Sequence, residues 1–454
     1  WSVFEPTLDL SARALVPISE VLTPQRNYTL NLLLSANSLQ EGRSYRFHLS
    51  CNQMGDVIEV TTNSAPHGGS LSVTPFSGTE LKTLFTLIAF AYEDKDIPIS
   101  YTFGFQSIVN GGNEILQQRS LRNVTKNHLP SGVAFVDYGL NCTVAIFDVL
   151  SASTVDATAV KVKPLSASKL QEEVMLLLNS IDSSESRDVD ETSSLISVIG
   201  DLLNRVNCTG VTDEVCLGMN RERCFERDFS CGDCLAGFVV SAVGDSCVGP
   251  GHFDVSSSKK CGALCNDHGS CNFRDINTDR HLDDCDIESD SCSAFCECDD
   301  GYNGELCTIT DEDNKEKQLV RLALFKDLST TIQTTPSAST NVTADDLKGL
   351  VGSLSTLARK PSEVSAEASN IAATIADSVL TQALQVESVT SDDLIGVIAT
   401  LSTVAQTSRG SEQAGKVSNM LAKFGDLAAR DMVVGQPPLV ITRGSFKVST
   451  AVFA

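Results

Sequence analysis

The residues of this 454-residue chain with the clearest chemical potential are its 16 cysteines. Fourteen of them fall in the stretch from Cys208 to Cys307, a density above the roughly 8–10% that marks a disulfide scaffold. Such scaffolds persist in oxidising compartments. We therefore predict structural disulfides and an extracellular or lumenal protein. The fourteen are Cys208, Cys216, Cys224, Cys231, Cys234, Cys247, Cys261, Cys265, Cys271, Cys285, Cys292, Cys296, Cys298 and Cys307.

Two other chemistries fit parts of this cluster. Cys231 and Cys234 have the spacing of a redox motif, but no βαβ pattern surrounds them. Three cysteines and a histidine could ligate zinc, namely Cys261, Cys265, His268 and Cys271. Because both sets lie among many other cysteines of a protein predicted to be exported, disulfides are favoured. Cys51 and Cys142 lie outside the cluster, and whether they pair with each other stays open.

Five sequons for N-linked glycosylation point to the same compartment. A single sequon is common in cytosolic proteins, but five beside a cysteine cluster are hard to explain without secretion. We predict glycans on exposed asparagines of an extracellular or cell-surface protein. The acceptor residues are Asn27, Asn123, Asn141, Asn207 and Asn341.

The remaining polar residues form no recognisable catalytic set. The six histidines lie in unrelated contexts, without a Gly-x-Ser-x-Gly turn or a His-Glu-x-x-His helix. We therefore predict that the protein is not an enzyme and needs no cofactor.

Calcium is the one cofactor that stays open, because it prefers carboxylate oxygens and one insertion is acidic. The insertion lacks the glycine of an EF-hand loop, so a solvated loop is favoured. Asp94 and Asp96 are interpreted as capping a turn before Pro98 rather than as calcium ligands. The acidic residues of the insertion are Asp283, Asp284, Asp286, Glu288 and Asp290.

Composition narrows the choice of partners. The 34 basic and 58 acidic residues give a net charge of −24, which disfavours nucleic acid and anionic membranes. No run of about 18 apolar residues and no signal peptide occur. Because the chain opens at Trp1 and closes at Ala454 in strand-like sequence, we expect a piece of a larger protein, with any membrane anchor outside this chain. The expected partners are other extracellular proteins or glycans, with self-association as a further possibility.

The elements that position these residues change along the chain. Residues 1 to about 165 alternate apolar and polar side chains, as in Tyr45, Phe47, Leu49 and Cys51, and favour β-sandwich modules. A similar alternation runs through Tyr28, Leu30, Leu32 and Leu34 and predicts another strand.

Several turns and strands in this region resemble the receptor-for-egg-jelly (REJ) module of the polycystin family. They are the turns at Gly68-Gly69 and Pro75-x-x-Gly78, the strand at Thr83-x-Phe85, and the corner Asp94-x-Asp96-x-Pro98 before Tyr101-x-Phe103. The resemblance implies an extracellular β-sandwich. Family members commonly carry a cysteine pair where Leu71 and Ala89 stand here, and a tryptophan in place of Tyr92.

The second half of the cysteine block resembles an EGF-like module. The pattern is Cys261-x3-Cys265-x5-Cys271, followed by Cys296-x-Cys298-x2-Gly301-Tyr302-x-Gly304-x2-Cys307. The resemblance implies the pairs 261–271, 265–296 and 298–307, with Cys285 and Cys292 closing an extra loop. The pairing among the six cysteines from Cys208 to Cys247 stays open.

Helical periodicity follows on both sides of the cysteine block. Residues 168–205 predict two helices, the second through Leu195, Val198, Ile199 and Leu202. Further on, residues 342–358 and 389–405 are identical at 10 of 17 positions and predict two helices, each capped by a threonine with two following aspartates. Alternation from Leu439 to Val452 then predicts strands.

Helices in this position, followed by strands, resemble the helical part of a GAIN domain, the autoproteolysis-inducing domain of adhesion receptors and polycystins. The cleavage motif of that domain is absent here, so this chain is not expected to cut itself.

The predicted fold class is therefore multidomain α+β, with Ig/FnIII-like β-sandwich modules, disulfide-rich EGF-like modules and a GAIN-like helical bundle leading into strands. The predicted function is non-catalytic adhesion or structural interaction in a polycystin-like or adhesion-receptor-like ectodomain. The alternative is a secreted filament or matrix subunit, such as a flagellar mastigoneme protein. The predicted units are a partial sandwich (1–65), a REJ-like sandwich (66–166), a helical hairpin (167–207), a cysteine-rich module (208–250), an EGF-like module (251–310), a helical bundle (311–432) and a truncated β subdomain (433–454).

Overall fold

The protein is described by a computed structural model. The described residues are 1–4, 8–21, 30–51, 54–109, 111–133, 136–182, 189–208, 211–224, 230–241, 246–249, 258–259, 261–276, 278, 280–286, 289–334, 342–386, 388–407, 411–430, 432–434, 436–443 and 446–452. Among these residues, no helix combines the length and the apolar character that crossing a membrane requires.

The N-terminal unit is a small antiparallel sheet with its own core. Its strands are β1 (Ser2–Val3), β2 (Ser44–Cys51) and β3 (Met54–Thr61), in the order β1-β2-β3, and a short helix α1 (Leu10–Arg13) precedes β2. Tyr45 and Phe47 alternate on the inner face of β2 and pack with Leu8 and Leu10. The predicted strand from Tyr28 to Leu34 is wrong over its described part, because Leu34 makes only an isolated bridge to Ala14. Tyr28 lies outside the described residues.

Two larger sheets pack face to face across one core. The first contains β4 (Ser70–Thr74), β6 (Phe85–Phe90) and β9 (Val124–Asn127), in the order β4-β6-β9. The second contains β5 (Ser77–Thr79), β7 (Ser100–Gln106), β8 (Asn113–Ser120), β10 (Gly139–Phe147) and β11 (Ser153–Lys163), in the order β5-β11-β10-β7-β8. Phe85, Leu87, Phe103, Phe105 and Val144 are fully buried between the sheets, as the alternation of apolar residues predicts.

Leu71 and Ala89 are direct partners across β4 and β6, and both are buried. This is the position where the REJ resemblance implies a cysteine pair in members of that family. Here, the contact between the two strands rests on apolar packing instead of a covalent bond.

A helix closes one open side of this two-sheet unit. Helix α2 (Ala167–Asp182) follows β11, and helix α3 (Val189–Asn204) then packs against β8. Ser194 of α3 donates to Asn127 of β9 over 2.7 Å, so α3 touches the edge strands of both sheets. Gly200 allows α3 to lie close to a neighbouring helix, because a Cβ at this position would lie 2.6 Å from the Thr356 methyl group.

The chain returns to this same core after the cysteine block. Helices α5 (Asp311–Thr334), α6 (Ala344–Leu357), α7 (Ala366–Ala383), α8 (Ile395–Thr407) and α9 (Ser411–Arg430) follow, and a hairpin of β19 (Leu439–Arg443) and β20 (Phe446–Thr450) lies against α8 and α9. The buried residues of the sheets, of α3 and of these helices form one continuous hydrophobic cluster. We call the two sheets and the helices that share it the body.

The repeated sequence forms two similar capped starts. Thr343 accepts the backbone N–H of Asp346, and Asp346 accepts that of Thr343, which is a capping box at the start of α6. Thr390 donates its N–H to Asp393 in the same way before α8, although a single 3-10 turn there delays the α-helix to Ile395. Both repeats bury their apolar residues in the shared core, and α6 packs against α8.

A buried polar network joins α3, α5 and the two-sheet unit. Arg321 of α5 is fully buried and donates to Glu363 over 3.1 and 2.6 Å, and to Asn204, the last residue of α3, over 2.9 Å. The next residue, Arg205, donates to Glu80 over 2.9 Å. Glu80 also accepts the backbone N–H groups of Ser131 and Leu165, so it is anchored within the two-sheet unit. We call Glu80, Asn204, Arg205, Arg321 and Glu363 the clamp.

The charge of Glu363 is maintained by its cationic neighbours. Burial alone would raise the pKa of this carboxyl, but Arg321, Lys317 and Lys360 outweigh burial and hold the pKa below its ordinary value of 4.5. Lys317 lies 3.1 Å from Oε1 of Glu363. The carboxylate therefore stabilises the folded state above the pKa of the unfolded chain, and this contribution is lost as the pH falls through the folded-state pKa.

We expect Glu363→Gln to lower the free energy of unfolding at pH 7 by ~3–5 kcal/mol, because the substitution leaves Arg321 buried without its counter-charge. The difference from the unsubstituted protein should shrink in acid. Urea unfolding followed by circular dichroism at several pH values measures both effects. Glu367→Gln is the matched control, since Glu367 pairs with Lys326 at an exposed site and should cost less than about 1 kcal/mol. Equal losses from the two substitutions would contradict a clamp centred on Glu363.

Candidate functional site: the cysteine-rich arm and the surfaces around it

The cysteine block lies between two neighbouring helices of the body. It leaves α3 after Asn204 and returns at Asp311, the first residue of α5, and α3 packs against α5. The block contains α4 (Asp213–Gly218), β12 (Val239–Val240), β13 (Cys247–Val248), β14 (Gly269–Asp275), β15 (His281–Leu282), β16 (Cys292–Cys298), β17 (Tyr302–Asn303) and β18 (Ile309–Thr310). The apolar cluster around Cys261, Cys265 and Cys307 is separate from the core of the body. We call residues 208–310 the arm.

Three disulfides hold the first half of the arm, where the sequence left the pairing open. They join Cys208 to Cys224, Cys216 to Cys231, and Cys234 to Cys247. In order along the chain, the first cysteine pairs with the third, the second with the fourth and the fifth with the sixth. Cys231 and Cys234 bond to different partners, so the redox spacing between them does not form a redox pair here.

Four disulfides hold the second half, and they are the pairs that the EGF resemblance implies. Three of them join Cys261 to Cys271, Cys265 to Cys296, and Cys298 to Cys307. The fourth joins Cys285 to Cys292 and closes the acidic insertion. Without this extra bond, the order of pairing equals that of the first half.

The second half has little apolar core beyond its sulfurs. Tyr302 stacks on His268 with ring centroids 3.8 Å apart and packs against the buried cysteines. The N–H of His268 donates to Cys265 and its carbonyl accepts from Asp299, so His268 ties the start of the module to the end of β16. Gly301 and Gly304 both have φ of +94°, which glycine adopts without strain. The sulfurs of Cys261, Cys265 and Cys296 lie close together, but they are bonded in disulfides, which removes the thiolates that zinc requires.

The two cysteines outside the arm carry free thiols. Cys51 is exposed at the end of β2, whereas Cys142 is buried in β10 between Phe105 and Thr158 of the neighbouring strands. A bond between them is therefore not formed. Burial raises the pKa of the Cys142 thiol to about 12, so this thiol stays protonated.

The candidate calcium ligands separate into two groups. Within the described part of the acidic insertion, no carboxylates lie close enough together to hold a metal ion. This applies to Asp283, Asp284, Asp286 and Asp290, whereas Glu288 lies outside the described residues.

The second group is formed by Asp94, Asp96 and Asp148, whose carboxylate oxygens lie within 4.8 Å of one another and could accommodate a cation. Asp94 accepts the N–H of Asp96 over 2.7 Å, which is the turn cap that the sequence predicts. Asp148, fully buried, accepts hydrogen bonds from Asn63 and from the N–H of Ala152. The sequence did not indicate Asp148 as a third candidate ligand, because the strands β7 to β10 separate it from Asp96 along the chain.

Three of the five sequon asparagines are described, and all three are exposed: Asn123, Asn141 and Asn207. Asn141 is the third residue of β10 and is exposed on the outer face of the sheet, where its amide donates to Gln106 over 3.0 Å. Asn27 and Asn341 lie outside the described residues.

A buried carboxyl group lies where α3 meets the two-sheet unit. Asp201 of α3 accepts a hydrogen bond from Ser107 at the end of β7, and its second oxygen has no hydrogen-bond partner among the described residues. Burial raises the pKa of Asp201, while Ser107, Arg205 and Arg359 oppose that rise. The folded state therefore binds a proton at Asp201 more tightly than the unfolded chain does, and stability from this site increases as the pH falls through the folded-state pKa.

Comparison with known families identifies one part of the chain. The REJ domain model matches residues 11–194, which span the strands from β2 to β11 and continue into α3. The chain therefore contains a REJ domain, and the resemblance drawn from its turns and strands is confirmed. REJ domains are non-enzymatic extracellular domains that occur in polycystin-like proteins. No curated protein matches the chain. The REJ domain and the seven disulfides are together consistent with an extracellular location.

We expect Asp201→Asn to stabilise the protein at pH 7 by about 1–2 kcal/mol, because an amide removes the cost of burying an unpaired charged oxygen. The variant should also lose the gain in stability that the parent shows as the pH falls through the folded-state pKa of Asp201. Urea unfolding over a series of pH values measures this difference. Asp426→Asn, at an exposed position on α9, is the control and should change neither value. A destabilised variant with the same pH slope as the parent would contradict the assignment.

We also expect a reductant to unfold the arm before the body. Each disulfide of a small module contributes ~2–4 kcal/mol, and all seven described disulfides lie in the arm. Limited proteolysis with and without reductant, mapped by mass spectrometry, should show new cleavages confined to residues 208–310. Cleavage that ignores the reductant in the arm, or that begins in the two sheets, would overturn this expectation.

Proposed function

We propose that this chain is part of a polycystin-like or adhesion-receptor-like ectodomain that acts by non-catalytic interaction outside the cell. The observation that carries the proposal is the REJ domain over residues 11–194, since this family is extracellular and non-enzymatic. Within it, we propose Ig/FnIII-like sandwiches, EGF-like modules in the arm and a GAIN-like helical region that ends in β19 and β20.

The physical organisation supports a role in presenting surfaces. The two sheets and the helices share one hydrophobic core, and the clamp fixes α3 and α5 at the two ends of the arm. An arm held by seven disulfides keeps its shape with little core of its own. The body can therefore hold the arm and the outer strand surfaces at fixed positions, as an adhesive or spacer segment requires.

We propose that the exposed asparagines Asn123, Asn141 and Asn207 carry N-linked glycans, as do Asn27 and Asn341. A net charge of −24 and a glycan cover would keep so large a surface soluble. The partners would be other extracellular proteins or glycans.

The function can be tested with the chain secreted from eukaryotic cells, where a loss of mass on treatment with peptide N-glycosidase checks the glycans. Beads coated with this protein should attach to cell layers or extracellular matrix in a saturable way, while beads coated with heat-denatured protein should not. Electron microscopy of the same preparation tests the alternative, a filament or matrix subunit. Regular fibres without bead attachment would favour that alternative and contradict the adhesion proposal.

A further inference from the structure

The N-terminal unit and the body have separate hydrophobic cores. In the described part of the chain, the apolar cluster of the N-terminal sheet shares no residue with the cluster of the body. Residues 62–66 follow β3 and have no regular secondary structure. Two units without a shared apolar core are expected to move relative to each other, and a few loop residues can absorb such a motion. The angle between the two units can therefore change at residues 62–66.

A hydrogen bond at this linker joins the two units. Asn63 is tied to the N-terminal unit, because its carbonyl accepts the N–H of Gly42 over 3.2 Å. Its side-chain oxygen accepts the N–H of Ser64 over 2.9 Å, and its amide nitrogen donates to Asp148, which follows β10. The bond from Ser64 fixes the orientation of the amide, so that the donor end faces the body.

The acceptor of this bond is a carboxylate inside the body. Asp148 is fully buried, and its Oδ1 accepts the N–H of Ala152 over 2.9 Å, while its Oδ2 accepts from Asn63. Removing a donor from a buried carboxylate costs more than breaking an exposed hydrogen bond. Asp94 and Asp96 lie beside Asp148, with carboxylate oxygens within 4.8 Å of one another, and they would repel a further negative charge at position 63.

Arg119 of β8 holds the acceptor in place. Its guanidinium donates to the carbonyl oxygen of Asp148 over 2.9 Å and lies 4.4 Å from the ring centre of Phe147. It also pairs with Asp345 in the first turn of α6, over 3.4 Å. The position of Asp148 is therefore tied to the helices of the body as well as to the second sheet.

We propose that Asn63 and Asp148 form a latch that fixes the angle between the N-terminal unit and the body, with residues 62–66 as its hinge. Arg119 is a positioning residue of this latch, since it acts through Asp148. With the latch closed, the N-terminal sheet has the orientation seen in this structure, and with the latch open it turns about the linker. The inference goes beyond the adhesive role and does not depend on it.

The chain supplies one of the two reporters that a test requires. Cys51 is exposed at the end of β2 in the N-terminal unit, whereas Cys142 is buried and the other cysteines are bonded in disulfides. Ala157→Cys adds a second exposed thiol on β11 of the body. Spin labels on these two thiols give the distance between the units by pulsed electron paramagnetic resonance.

The test compares the distribution of this distance in three variants of the labelled chain. Asn63→Asp keeps the oxygen that accepts from Ser64 but replaces the donor by a carboxylate, so we expect the main distance to shift and the distribution to broaden. The double variant Asn63→Asp/Asp148→Asn exchanges donor and acceptor and should restore the narrow distribution of the parent. The amide introduced by Asp148→Asn keeps an oxygen for Ala152 and offers its nitrogen to the new carboxylate. Arg119→Lys should broaden the distribution without a change in the circular dichroism spectrum.

Asn37→Asp is the matched control, because it adds the same charge at an exposed position of the N-terminal unit and should leave the distance unchanged. The proposal is overturned by an unchanged distribution in Asn63→Asp, by an equal broadening in Asn37→Asp, or by a double variant that stays as broad as Asn63→Asp. A parent as broad as Asn63→Asp would also overturn it. If circular dichroism shows that the double variant is unfolded, small-angle X-ray scattering of unlabelled Asn63→Asp and Asn37→Asp decides, and equal radii of gyration would refute the latch.

Discussion

The structure depends on α3, which packs between the two-sheet unit and the later helices α5 and α6. Its buried apolar residues Leu195, Ile196, Val198 and Ile199 belong to the shared core. Its last residue, Asn204, accepts a hydrogen bond from Arg321 of the buried Arg321–Glu363 pair. Removing one partner of such a pair leaves an uncompensated charge in the interior, which is far more costly than losing a surface ion pair. The open side of the two-sheet unit is therefore closed by helices from both sides of the arm.

The body and the arm are stabilised in two different ways. The body has one large core and no disulfide among its described residues, and Leu71 faces Ala89 by packing alone. The arm has the opposite balance, with seven disulfides and an aromatic pair in place of a core. Carboxyl groups at the junction have opposite responses to pH: Glu363 is held ionised by cations, whereas Asp201 is pushed toward its neutral form by burial.

Local patterns predicted much of this structure. Alternation identified the inner residues of β2, and threonine–aspartate spacing identified both capped starts in the helical repeat, since each feature depends on neighbours in sequence. The same alternation was wrong from Leu30 to Leu34, where half-burial against a small core does not require a strand. Contacts between distant segments were beyond this reasoning: Asn204 meets Thr356 across 152 positions, and neither periodicity nor composition indicates such a partner. For the same reason, the sequence left open the pairing in the first half of the arm and did not place Asp148 beside Asp94 and Asp96.

The central claim is that the two sheets and the helices unfold as one unit while the arm does not. Hydrogen–deuterium exchange of the native protein, measured by mass spectrometry at increasing urea concentrations, tests it directly. The account predicts that amides in β7, β10, α3, α6 and α8 become exchangeable together, at one urea concentration, whereas arm amides follow a separate curve. Sheets that exchange at a lower urea concentration than α6 and α8 would contradict it, because they would then form an independent module.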